Sequence, residues 1–350
     1  MDKTMKAVAV LAKDQVGIVE LPLPEYGPYE CLVRTRACGF CSSTDMKIIH
    51  NSLADMDVSF PAILGHEGVG EIVAVGEKVR NYRVGDRVSC ARGMYVKGTE
   101  YSFVWGEMAQ YAVAHDVYAM VEDGLDLREY TPGKTLTTYP VRKIPEGMSY
   151  PDAVMLLTFE ENYSALLNFG VQPGMDILIY GDGAVAQGLC FFARELQAGS
   201  VCCVGHHDDK LQRIREVSRA DITINSHRES VADVLKGRQF DVVIDAVGST
   251  QIIREAFQYV KDGGSVCVYG VLQREKADFN LLDMKNHASL HLLVWPYDEH
   301  RVHDDIVRMI EEKKLVPSMY YSHVMPMENI HQAIELLQQR RATKVILTMD

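Results

Sequence analysis

The sequence predicts an α/β protein of two domains, one built of short strands and one built on a doubly wound parallel sheet. Three observations carry this. The chain has 350 residues, enough for two domains of ordinary size. Residues 1–118 are rich in Val, Gly and turns, with short alternating runs such as MKAVAVL and ECLVRTRA. From about residue 150 the pattern changes to apolar strands separated by helical runs of roughly 10–15 residues.

The second domain is read element by element. DILIY (176–180) is an apolar strand, followed by a Gly-rich turn and the helical run AVAQGLCFFARELQ. SVCCVG (200–205) is a second strand and DDKLQRIREVS a second helix. FDVVIDAVG (240–248), the helix TQIIREAFQYVKDG and the strand SVCVYGVL follow. Near-continuous apolar strands between helices belong to a parallel sheet covered on both faces. The tail ends in NIHQAIELLQQRRATKVILTM, a helix and then a strand.

Composition narrows the class. Apolar residues make up 47% and charged residues 24%, as in a soluble globular protein. The net charge of −12 and a sequence pI near 5.5 argue against non-specific nucleic-acid binding. No apolar run approaches the roughly 18 residues of a membrane-spanning helix, so no membrane partner is expected. MDKTMKAVAVLAKDQ reads as a first strand rather than a signal peptide. The cysteines, at 31, 38, 41, 90, 190, 202, 203 and 267, are scattered through apolar segments. They suit a reducing, cytoplasmic setting and are not a disulfide framework.

The most informative stretch is GHEGVGEIVAVGEKVRNYRVGDRV, residues 65–88. It opens with His66 and Glu67, continues with glycines at 68, 70, 76 and 85 among alternating Val and Ile, and closes on Gly-Asp-Arg-Val. It resembles the zinc-containing medium-chain dehydrogenase/reductase family, the alcohol and polyol dehydrogenases. The resemblance covers nearly the whole chain. It implies a GroES-like β-rich catalytic domain over 1–149 and 296–350, and a Rossmann dinucleotide-binding domain over 150–295.

The family's Gly-His-Glu histidine ligates a catalytic zinc, which here makes His66 a ligand. The segment Cys38-Gly-Phe-Cys-Ser-Ser-Thr-Asp45 is similar to the family's cysteine motif and puts Cys41 at the thiolate position. Catalytic zinc takes three protein ligands and keeps one position open. Glu67 is a direct ligand or a partner of the ligands. The family's remaining ligand falls at Leu157, which cannot bind zinc. Glu160 lies three residues on, on roughly the same helical face, and Glu161 is the fallback. Cys38 forms a CxxC with Cys41, but without a second CxxC it reads as a buried small side chain. Only Cys90 lies where relatives carry four structural-zinc cysteines, so one catalytic and no structural zinc is expected.

The resemblance also implies a proton relay through a hydroxyl. One extra residue between Cys41 and Asp45 leaves Ser43 or Thr44 for this role, Thr44 being preferred for its place beside Asp45. Lys47 stands where relatives often carry the relay's next histidine, and is either a relay member or a substrate contact. His50 reads as a satisfied or exposed histidine. The implied reaction is hydride transfer between NAD(P) and a secondary alcohol, polyol or sugar-like hydroxyl. Small-molecule alcohol or carbonyl substrates are the expected partners. A zinc-free reductase of activated double bonds or quinones is the alternative, and a nucleotide-sensing or structural protein on the same fold the other.

The nucleotide turn Gly181-Asp182-Gly183-Ala184-Val185-Ala186 has the G-x-G-x-x-A pattern between strand and helix. The first Gly allows the tight turn, the second admits the pyrophosphate, and Ala serves where helix meets strand. The helix N-terminus offers N–H groups to the phosphates. Gly205 stands where NAD-binding proteins place the acid that holds the ribose 2′-hydroxyl, with His206 and His207 next. With no acid at 205 and two imidazoles as donors, NADP(H) is expected over NAD(H). Residues 120–141 intervene where relatives pass straight on, and read as a surface hairpin, an oligomer contact or a lid. Trp105, this insertion and the region of Trp295 are candidates to line the substrate cleft. Relatives are dimers or tetramers, so a homodimer or homotetramer is expected.

Overall fold

The computed structural model describes residues 4–53, 58–89, 99–103, 105–125, 140–294 and 298–349. Contacts divide the chain into two compact units. One takes Met1–Asn51, Asp57–Leu157 and His303–Asp350, the other Ser52–Met56 and Thr158–Val302. The division thus falls inside the helix Tyr150–Asn168.

The second unit holds a parallel six-stranded sheet. Its strands are Asp176–Tyr180, Ser200–Gly205, Ile222–Asn225, Phe240–Asp245, Val260–Val268 and Ser289–Leu292. In space they run third, second, first, fourth, fifth, sixth. This is the order of a doubly wound dinucleotide-binding sheet. Successive residues Ile177, Leu178 and Ile179, and Val201, Cys202 and Cys203, are all fully buried. Side chains on both faces are therefore covered, which is why these strands read as unbroken apolar runs.

One predicted helix ends early. The run TQIIREAFQYVKDG is helical only over Thr250–Ala256, and Val260 already pairs with Phe240. Tyr259 O accepts from Phe240 N at 2.8 Å, and Gly263 takes a positive φ of 74°. Pairing with the neighbouring strand captures the apolar end of the run, and the glycine bends it, overriding helical periodicity.

The first unit is mainly β. A four-stranded sheet contains Thr4–Ala12 and Gln15–Pro22. A seven-stranded sheet is centred on Glu30–Phe40, which pairs with Gly68–Val75, Tyr111–His115 and the C-terminal Val345–Thr348. The insertion begins within the helix Val117–Glu122 and the turn after it. The remainder of the expected hairpin, 126–139, lies outside the described residues, as do Cys90 and Trp295. Among the described residues no helix is long and apolar enough to cross a membrane.

Candidate active site

Sheet register brings Cys41 and His66 together from distant parts of the chain. The strand Glu30–Phe40 stops one residue before Cys41, and the strand Gly68–Val75 starts one residue after Glu67. The two are antiparallel, with Cys38 opposite Gly68. Both connecting turns therefore emerge at the same sheet end. On the other side, Ile346 lies opposite Gly39 and Val345 opposite Phe40, which delivers Lys344 to that end as well.

Cys41, His66 and Glu67 offer ligand atoms that all lie within 4.8 Å of one another. A thiol, an imidazole and a carboxylate form a donor set suited to zinc. The support around them is specific. Asp45 is fully buried, and its Oδ2 accepts the Cys41 backbone N–H at 2.9 Å. Asp45 Oδ1 lies 3.4 Å from His66 Nδ1, leaving Nε2, 3.8 Å from Glu67 Oε1, to face the cluster. A carboxylate behind the far ring nitrogen fixes the orientation of a metal-binding histidine. Burial opposes charge on His66, but Asp45 and Cys41 outweigh it and raise its pKa well above the ordinary value. The Thr44 N–H points at Cys41 Sγ from 3.4 Å.

Glu67 is buried and ion-paired to Lys344, whose Nζ lies 2.7 Å from Oε1 and 2.5 Å from Oε2. Gly39 makes room for this carboxylate: a Cβ there would stand 2.0 Å from Glu67 Oε2. Glu107, also fully buried, accepts the Gly68 N–H. Cys38 is fully buried, and burial together with the Glu107 and Asp45 carboxylates pushes its thiol pKa well up. It is a packed thiol.

The two candidate hydroxyls are not equivalent. Lys47 Nζ donates to Ser43 Oγ at 2.9 Å, and the Lys47 side chain is largely buried. Ser43 is the N-cap of the short helix Thr44–Ile49, and Lys47 lies one turn on within it. His50 pairs with Asp14 at 2.5 Å on the surface. The Trp105 ring lies 5.1 Å from that of His66, tilted by 53°.

Leu157 is buried. Glu160 and Glu161 follow in the second unit's part of the helix Tyr150–Asn168. Glu160 is buried, and Glu161 accepts from Tyr269 Oη at 3.4 Å. The three clustered ligand residues all belong to the first unit.

In the second unit the nucleotide turn has the shape its glycines require. Gly181 has φ of 136°, a backbone that side-chain-bearing residues rarely adopt, and a Cβ there would come within 3.3 Å of Ala186. Gly183 caps the helix Ala184–Glu195, which carries Ala184, Val185 and Ala186 in its first turn. The end of the second strand departs from the sequence reading. Asp182, between the two glycines, extends to Gly205, where a Cβ would meet Asp182 Oδ2 at 2.9 Å. Asp182 Oδ2 accepts from His206 N at 2.7 Å, His207 N at 3.0 Å and His207 Nδ1 at 2.9 Å. An acid thus does stand at Gly205, reaching it from the turn. The reason given for NADP(H), that no carboxylate is there, does not hold.

Asp45, Lys344, Glu107 and the reach of Asp182 were not assigned roles by sequence reasoning. Asp45 was visible as the end of the cysteine motif. Lys344 had no signal, because only pairing of the last strand brings it near Glu67.

Comparisons with known proteins agree with this geometry. The model of the alcohol dehydrogenase GroES-like domain matches residues 27–122, and that of the zinc-binding dehydrogenase matches 184–312. The chain is 25% identical over 288 residues to a sorbitol dehydrogenase of Bacillus subtilis, covering 80% of this chain and 78% of that protein. Among solved structures it is similar in fold to a benzyl alcohol dehydrogenase from Acinetobacter calcoaceticus, with a TM-score of 0.82, 19% identity and complete coverage of both chains. A zinc-binding dehydrogenase from Sinorhizobium meliloti bound to NADP gives 0.75 at 20% identity, covering 99% of this chain and 100% of that one.

Proposed function

The chain belongs to the zinc-containing medium-chain dehydrogenase/reductase family, and on that premise we propose that it moves a hydride between a nicotinamide dinucleotide and a secondary alcohol, polyol or sugar-like hydroxyl. The observation that carries this reading is the convergence of Cys41, His66 and Glu67 within 4.8 Å, braced by Asp45. Zinc held there would supply Lewis acidity toward an alcohol or carbonyl oxygen, and a bound nicotinamide would supply the hydride chemistry.

The chain's own residues supply the rest. Cys41 and His66 are the proposed permanent ligands, and Glu67 the third, its second charge partner being Lys344. Glu160 stays the candidate for a further ligand, and one catalytic zinc is proposed. Ser43 is the proposed relay hydroxyl, supported by the Lys47 ammonium held on its Oγ; Thr44 is the second candidate. In alcohol oxidation Ser43 Oγ would accept the proton of the substrate oxygen while giving up its own hydroxyl proton to solvent, with Lys47 orienting that hydroxyl. Gly181, Gly183, Ala184, Val185, Ala186, Gly205, His206 and His207 line the proposed cofactor site. We propose a cytoplasmic homodimer or homotetramer whose partners are small molecules, with no nucleic acid or membrane.

The test is metal analysis with turnover on a panel of secondary alcohols, polyols and their ketones. About one zinc per chain and nicotinamide-coupled turnover, both lost in Cys41→Ser and His66→Ala, are expected. Full turnover in chelator-stripped protein would contradict the reading and favour the zinc-free reductase, for which Leu157 at the usual ligand position speaks.

A further inference from the structure

Three features meet at the end of the strand Ser200–Gly205. The Asp182 carboxylate lies against Gly205, leaving no room there for a side chain. Its Oδ2 gathers both backbone N–H groups that follow the strand, those of His206 and His207, and the His207 ring as well. Of the imidazoles that the sequence offers to a phosphate, His207 is engaged on Asp182, and His206 lies stacked on His227 with ring centroids 4.1 Å apart and planes within 16°. Arg228, the cation of the next loop, is paired with Asp208 at 2.5 Å.

A 2′-phosphate and a 2′-hydroxyl ask opposite things of this corner. The phosphate carries close to two negative charges and needs donors. The hydroxyl can donate to a carboxylate. Here a carboxylate already takes the available N–H groups. Burial works against its charge, but the His206 N–H, the His207 ring and Lys210 hold its pKa below the ordinary carboxylate range.

We propose that Asp182, reaching the ribose corner from the glycine turn, selects NAD(H) over NADP(H) in place of the acid missing at position 205. This rests on the dehydrogenase reading above. The hydroxyl of NAD(H) donates to Asp182, whereas the phosphate of NADP(H) faces a like charge that has already taken the two backbone N–H groups and the His207 ring. His207 fixes the carboxylate by its ring and backbone contacts. No other acidic side chain is required at the strand end.

The test is direct binding of NADH and NADPH to the zinc-loaded full chain, by calorimetry or nucleotide fluorescence, without substrate. The wild-type protein is expected to bind NADH at least about tenfold tighter, the scale of one charge-assisted hydrogen bond. Asp182→Asn and Asp182→Ala should bring the ratio to about one or invert it. Asp209→Asn, which removes an acid from the first turn of the following helix without unpairing Arg228, should leave the ratio unchanged. Unfolding curves for each variant identify any that fail to fold, and the wild-type ratio tests the proposal without them. Wild-type protein binding NADPH as tightly as NADH overturns the role of Asp182 and leaves the dehydrogenase reading standing. A ratio unmoved in folded Asp182 variants, or moved equally by Asp209→Asn, overturns it too. Binding of neither nucleotide overturns both readings.

Discussion

The ammonium of Lys344 lies within 2.7 Å of both carboxylate oxygens of Glu67, and both side chains are buried. The pair joins the last strand of the chain to the turn that carries His66. Removing one partner of a buried pair leaves an uncompensated charge, which costs about 3–5 kcal/mol. Lys344→Met should therefore destabilise the protein by an amount of that order in denaturant unfolding. Lys344→Arg should recover much of the loss. A Lys344→Met protein as stable as the wild type would refute the importance of the pair.

Asp45 has no ligand atom in the cluster, yet one oxygen accepts the Cys41 backbone N–H and the other lies 3.4 Å from the far nitrogen of His66. Partners of metal ligands typically carry roughly 10–100-fold in affinity. Asp45→Asn should weaken zinc by about that factor in competition with a chromogenic chelator. Cys41→Ser and His66→Ala should lose zinc outright. The same titration on Glu67→Gln and Glu160→Gln ranks the two glutamates as ligands, since removal of a true ligand should cost more affinity than Asp45→Asn does.

The relay hydroxyl is decided by comparing two conservative variants. Ser43→Ala removes the oxygen that Lys47 holds, and Thr44→Val removes the one that it does not. Positioned proton transfer contributes roughly a hundredfold to ten-thousandfold. Ser43→Ala should lose about that much in kcat, with Thr44→Val near wild type. Lys47→Met should fall in the same direction as Ser43→Ala. The reverse ranking, measured by steady-state kinetics on one substrate, would assign the relay to Thr44.

Acid stability should depend on Asp116. This fully buried residue accepts from the backbone N–H groups of Arg80, Asn81 and Ala119, at 2.7, 2.8 and 3.1 Å, and from Asn81 Nδ2 at 2.9 Å. Burial pushes its pKa up, but the donors win and hold it below the ordinary 3.8. A depressed carboxyl stabilises the fold above the unfolded value and loses that contribution as pH falls through the folded one. The wild type should therefore lead Asp116→Asn in stability at neutral pH, and the lead should shrink below about pH 4. Urea midpoints measured across that range check it, and a lead that grows on acidification would reverse the sign.

Periodicity and turn chemistry already carried much of the architecture. The runs DILIY and SVCCVG read as buried strands because both of their faces are covered in the sheet. The Gly-rich turn read as such because Gly181 needs its positive φ. The helix after Ser249 was read too long, because pairing of Val260 with Phe240 is not local. Cys41 and His66 were legible through their motifs, but not the hydroxyl that Lys47 holds.

What the sequence by itself determined was local: the strands, the helices, the turn glycines and the types of donor available to a metal. Tertiary structure alone decided which charges meet. Antiparallel register carried Lys344 to Glu67, and the close approach of turn and strand carried Asp182 to Gly205. Both encounters join residues whose separation is fixed only once the sheets have formed, and neither a motif nor a periodicity encodes such a distance.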